Sequence, residues 1–136
     1  MEKIMSKAKE HQYNIQFEEL EKQGPVKMGP TASHLWRNDP RHLCFLLSRY
    51  KFCSKILAGK KNVLEVGCGE AFGMPLVLQT VEHVHGIDFD PLFIKWAEKV
   101  TQKETSRCSF SVLDIMKNSP KEGPYDGAYV INIITS

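Results

Sequence analysis

The run NVLEVGCGEAFG, Asn62 to Gly73, most narrows what this chain can fold into. Apolar and β-branched residues lead into three glycines, Gly67, Gly69 and Gly73, and then into the helix-permissive MPLVLQTV. A buried strand that turns sharply into a helix accounts for this order, because glycine alone enters the backbone conformations of such a turn without strain. The pattern then repeats. EHVHGID reads as a second strand and DPLFIKWAEKVTQK as a second helix, with Asp90 as cap, Pro91 at its first position and Phe93, Trp96, Ala97 and Val100 as the buried side. CSFSVLD reads as a third strand, IMKNSPKEGP as a loop or short helix, and YDGAYVINII as a fourth strand. Strands joined by crossovers of this length predict an α/β fold: a parallel sheet of about four strands with helices on both faces.

The earlier part of the chain prepares that body. Residues 1 to about 23 are charged, with Ile4, Ile15, Phe17 and Leu20 as sparse apolar anchors, and predict a loosely packed helical lead-in. GPVKMGPTAS, Gly24 to Ser33, holds two Gly-Pro pairs and predicts a loop, so the chain divides into a lead-in over 1–33 and a body over 34–136. Asp39 and Pro40 then open a helix in which Leu43, Leu46, Leu47, Tyr50 and Leu57 recur on one face.

Eighteen basic and 16 acidic residues are scattered along 136 positions for a net charge of +2, which offers no concentrated field for a nucleic-acid backbone. Cys44, Cys53, Cys68 and Cys108 match neither a metal pair nor a secreted disulfide scaffold, and read as free thiols in a reducing cytosol. No apolar run is long enough for a membrane span, so a cytoplasmic location is expected.

A glycine turn after a strand can cradle a dinucleotide, a phosphate or S-adenosylmethionine, and the glycines alone do not choose. Three carboxylates bear on the choice. Asp88 ends the second strand, 19 positions after Gly69, where an acid accepts from both hydroxyls of a ribose in either nucleotide ligand. Glu65 lies two positions before Gly67; a ligand ammonium would suit it, whereas a pyrophosphate would be repelled. Asp114, at the end of the third strand in SVLDI, is placed to accept from an adenine amino group, with the Ile115 N–H available for a ring nitrogen. Bland readings stand beside these: Glu65 as a packing acid and Asp114 as a cap to the following turn.

Residues 62–136 resemble the first half of a class I S-adenosylmethionine-dependent methyltransferase: VLEVGCGEAFG its glycine motif, GIDFDP its ribose acid, FSVLDI its adenine acid and YDGAYVINII its fourth strand. The resemblance implies S-adenosyl-L-methionine as cofactor. It places Glu65, Gly67, Cys68 and Gly69 at the methionine end, Asp88 at the ribose, Phe89 on an adenine face, Asp114 and Ile115 at the adenine edge, and Asn132 near the methyl group and acceptor. Asn38 to Phe52 is also similar to the leading helix of some bacterial small-molecule methyltransferases, which with the near-neutral charge favours a small-molecule acceptor.

The family continues for another half-domain where this sequence stops at Ser136. The apolar fourth strand would then be an open edge, expected to pair with a partner chain, another copy, or the rest of a longer protein. A methyltransferase, whole or as a fragment, is therefore the first expectation. A non-catalytic binding module requiring a partner is the second, and a nicotinamide-dinucleotide oxidoreductase, disfavoured by Glu65 and Asp114, the third. His83 and His85 alternate toward one strand face but lack a third metal ligand, so no metal is expected. Trp36 to Asn38 precede the body and read as a packed hinge in preference to a segment that closes over the cofactor, and no catalytic residue is assigned.

Overall fold

The fold is described from a computed structural model, over residues 8–104 and 106–131. Among the described residues five α-helices and four strands follow one another: α1 (Asn14–Gln23), α2 (Pro30–Asn38), α3 (Pro40–Ile56), β1 (Asn62–Val66), α4 (Met74–Leu78), β2 (His83–Asp88), α5 (Pro91–Val100), β3 (Cys108–Val112) and β4 (Gly127–Tyr129). All strand pairs are parallel, in the order β3-β2-β1-β4. The chain thus steps outward from β1 to β3 and then returns to the other side of β1. Such a reversal opens a crevice at the carboxyl ends of the central strands, where open parallel sheets bind ligands.

Local chemistry accounts for most boundaries. Pro40 and Pro91 stand at first helical positions, and the Asp39 and Asp90 carboxylates accept from the His42 and Leu92 N–H groups. The start of β4 is held beside β1 by Asp126, whose two oxygens accept from Lys61 N and Asn62 N at 2.9 and 2.8 Å. Val63, Val84, Cys108 and Tyr129, from one face of the four strands, share a core with Leu46 and Tyr50 of α3, Met74 and Val77 of α4, and Ile94 and Ala97 of α5. On the other face His85 is buried, its nitrogens 2.6 and 2.8 Å from the Ser109 and Ser111 hydroxyls, with Tyr125 stacked on its ring and Glu122 3.4 Å away.

Several expectations need adjustment. The 24–33 loop ends early, because Pro30 begins α2. Trp36 lies on that helix and is 70% exposed rather than packed in a hinge. Helix α4 stops at Leu78, three residues short of the expected Val81, as Thr80 turns its hydroxyl to the Ser54 carbonyl at 2.6 Å and its own carbonyl accepts from Gly59 N. The buried side of α5 is Ile94 and Ala97, with Phe93, Trp96 and Val100 half-buried. Helix α1 buries none of its residues. Among the described residues β4 covers only Gly127–Tyr129, and the expected site residue Asn132 lies outside the described residues.

Gly73 has a different reason from its two predecessors. A Cβ there would lie 2.0 Å from the Tyr50 ring, so the glycine makes room for α3 rather than for a ligand. Replacing Gly73 with Ala is expected to lower stability by about 2 kcal/mol through overpacking, read as a fall in denaturation midpoint; an unchanged midpoint would show that Tyr50 moves aside freely.

Candidate functional site

At the carboxyl ends of the strands lies a cavity of about 640 Å³, within the range of small-molecule sites. Val66 ends β1 and Gly67 follows it, Ile87 and Asp88 end β2, Leu113 and Asp114 follow β3, and Ile131 lies beyond β4. Thr31, Leu46 and Tyr50 bring α2 and α3 to the same cavity.

The glycine turn holds Gly67 and Gly69 in the left-handed region, at φ 65° and 55°, where glycine is strongly favoured. Ala71 follows at φ 57°, a non-glycine residue in that region which the sequence did not signal. Asp88 fastens this turn: Oδ2 accepts from Gly69 N at 2.9 Å, and Oδ1 accepts from Asp90 N at 2.9 Å. Each carboxylate oxygen has a second lone pair, so Asp88 shapes the turn and still offers an acceptor on each oxygen. Asp114 lines the cavity as well, and its Oδ1 caps the following turn by accepting from Met116 N at 3.0 Å. The binding and capping readings of Asp114 are thus compatible. Phe89 is 75% exposed and, with Ile115, Met116 and Phe93, forms apolar wall.

Glu65 is placed differently from the other predicted residues. It is buried at 1% exposure, is not among the residues lining the cavity, and accepts from Tyr50 Oη at 2.6 Å and Tyr129 Oη at 2.7 Å. Burial pushes its carboxyl up to about 7; the Tyr50 and Tyr129 hydroxyls act in the lowering direction, and the Asp88 charge adds to the rise. Tyr50 belongs to the wall, so Glu65 stands one side chain behind the cavity.

Cys68 lines the cavity and is buried, and burial, with the Glu65 and Asp88 charges, drives its thiol far above the ordinary range. It stays protonated, so nucleophilic chemistry is closed to it at neutral pH. His83 and His85 do share a strand face, but their nitrogens meet Asn62, Ser109 and Ser111, and no group of three metal-ligating side chains occurs among the described residues.

Sequence reasoning missed Glu70. This carboxylate is 1% exposed and lines the cavity beside the glycine turn; Oε1 accepts from Thr31 N at 2.5 Å and Oε2 from Ala32 N at 3.3 Å. No local pattern marks it, because its partners lie 39 and 38 positions away.

Residues 63–135, more than half of the chain, match the methyltransferase-domain family. The chain belongs to that family. No curated protein sequence matches this methyltransferase domain. Among solved structures it is similar to the YcgJ protein of Bacillus subtilis, at TM-score 0.52 and 14% identity over 63% of this chain and 37% of that one. It is similar to the plantazolicin methyltransferase BpumL in complex with SAH, at TM-score 0.51 and 21% identity over 74% of this chain and 39% of that one. It is also similar to the [4+2]-cyclase SpnF, at TM-score 0.52 and 21% identity over 60% of this chain and 32% of that one. These likenesses show the Rossmann-like fold of class I methyltransferases, and the chain spans less than two fifths of each of the three. No helix among the described residues is long and apolar enough to cross a membrane.

Proposed function

We propose that this chain binds S-adenosyl-L-methionine at the carboxyl edge of its sheet, as the cofactor-binding part of a methyltransferase for a small-molecule acceptor. One observation carries the reading. The cavity is lined by four carboxylates, Glu70, Asp88, Asp90 and Asp114, and by no Lys, Arg or His side chain among the described residues. Such a wall favours a ligand bearing sulfonium and ammonium charge and opposes a dinucleotide pyrophosphate, which needs cations or a freely presented helix N-terminus. The Gly69 N–H, which a phosphate would need, is already spent on Asp88.

The residues fit the cofactor's parts. Gly67 and Gly69 carry no side chain where the methionine end would approach. Asp88 offers its free lone pairs to the ribose hydroxyls. Phe89 covers an adenine face, and the Asp114 carboxylate and Ile115 N–H meet the adenine edge. Glu65 supports the wall from behind by accepting from the Tyr50 hydroxyl. S-adenosylmethionine supplies a methyl group on a sulfonium that is already a good leaving group. The work of the chain is then to hold the cofactor in one orientation and keep water from it, and the apolar walls of Leu46, Phe72, Ile87 and Leu113 suit that task. No general base is required of these residues. The small-molecule acceptor is supported by the near-neutral net charge of +2, whose basic residues are scattered along the sequence.

Ligand-induced stabilisation tests the reading. S-adenosylhomocysteine at a hundredfold excess over its Kd should add about 2.7 kcal/mol, a rise on the order of 10 °C in Tm, while a nicotinamide dinucleotide should add nothing. Stabilisation by the dinucleotide alone would refute the proposal.

A further inference from the structure

Glu70 is a buried acid with no basic partner among the described residues, and its environment explains why it is tolerated. Helix α2 begins at Pro30, which has no N–H, and its N-cap, Gly29, has no side chain with which to cap. The next two donors, Thr31 N and Ala32 N, are left for an outside acceptor, and the Glu70 carboxylate takes both. The negative charge faces the positive end of the helix dipole, which offsets part of the cost of burial. Gly29 is shaped to this contact: a Cβ there would lie 2.7 Å from Glu70 Cδ and 2.8 Å from Oε2. Past the contact, Ala32 is buried, Leu35 packs on the core, and Thr31 reaches the cavity.

We propose that Glu70 is a positioning residue that latches α2 to the glycine turn, so that the segment before α3 is held as a wall of the cavity. The consequence for ligand rests on the adenosyl reading above; the latch itself does not. The glycine turn is thereby coupled to a helix far away in sequence, and whatever moves the turn also moves the wall.

Two variants and two measurements test this. Glu70→Gln keeps the shape but removes the charge that holds the two N–H groups. Gly29→Ala leaves Glu70 in place and displaces its carboxylate, at a position outside the cavity lining. In the ligand-free protein both variants should be cut by trypsin at Arg37, inside α2, at least tenfold faster than wild type, while cleavage at Arg49 in α3 stays slow and reports that the body remains folded. Both should also bind S-adenosylhomocysteine about tenfold more weakly by calorimetry. Cleavage at wild-type rates in both variants would overturn the latch, as would an affinity loss confined to Glu70→Gln, which would make Glu70 a ligand contact only. A wild-type chain that binds no S-adenosylhomocysteine, while its variants still open at Arg37, would overturn the functional reading and leave the latch standing.

Discussion

Replacing Asp88 with Asn is expected to weaken S-adenosylhomocysteine binding more than a hundredfold, measured by calorimetry. The Asp88 oxygens accept from Gly69 N and Asp90 N, both at 2.9 Å, and Asp88 lines the cavity. Asparagine keeps the volume but puts an amide N–H₂ against one of those backbone N–H groups, donor against donor, and removes the charge. Hydrogen bonds to a charged acceptor contribute about 1.5–3 kcal/mol each. Losing one of the proposed ribose contacts and misplacing the turn that supports the other therefore exceeds the roughly 2.7 kcal/mol that corresponds to a hundredfold. Affinity within threefold of wild type would remove Asp88 from the site.

The second large effect is on stability and belongs to Glu65. Its carboxyl is neutral in the fold up to about pH 7, whereas an unfolded carboxyl ionises near 4.5. Between those values the folded state holds a proton that the unfolded state has released, so stability falls as pH rises through that window and levels off above it. The full loss is on the order of 3 kcal/mol. Glu65→Gln has no proton to release and can still satisfy both tyrosines, accepting from one and donating to the other. The difference in unfolding free energy, variant minus wild type, should therefore rise by about that amount between pH 4.5 and 7.5, measured by denaturant titration at several pH values. Other titrating groups contribute equally to both proteins and cancel. A difference flat across the range would show that Glu65 is ionised throughout.

The parallel sheet was legible because its signals are local and repeated. Short apolar runs, glycine turns and Asp-Pro helix starts each act within a few residues, and β1, β2, β3, α3 and α5 lie where those signals place them. The turn from β1 to α4 was legible for the same reason, with Gly67 and Gly69 at positive φ. Helix α2 was not. Pro30 reads as a breaker inside a Gly-Pro loop, and it becomes a helix start only with an acceptor for Thr31 N and Ala32 N, supplied by Glu70. Gly73 was legible as a necessary glycine but not in its cause, since the Tyr50 ring that fills its space arrives from another helix.

By itself the sequence determined the order of strands and helices, the glycine turn and the carboxylates at successive strand ends, because each follows from backbone preference or burial within one segment. Only the tertiary structure decided what those carboxylates do. Asp88 and Asp114 face the cavity, Glu65 is withdrawn behind Tyr50 and Tyr129, and Glu70 is turned onto the end of α2. An acid has no preferred direction written in its neighbours. Its role is settled by which donors packing brings within about 3 Å, and those donors come from residues distant along the chain.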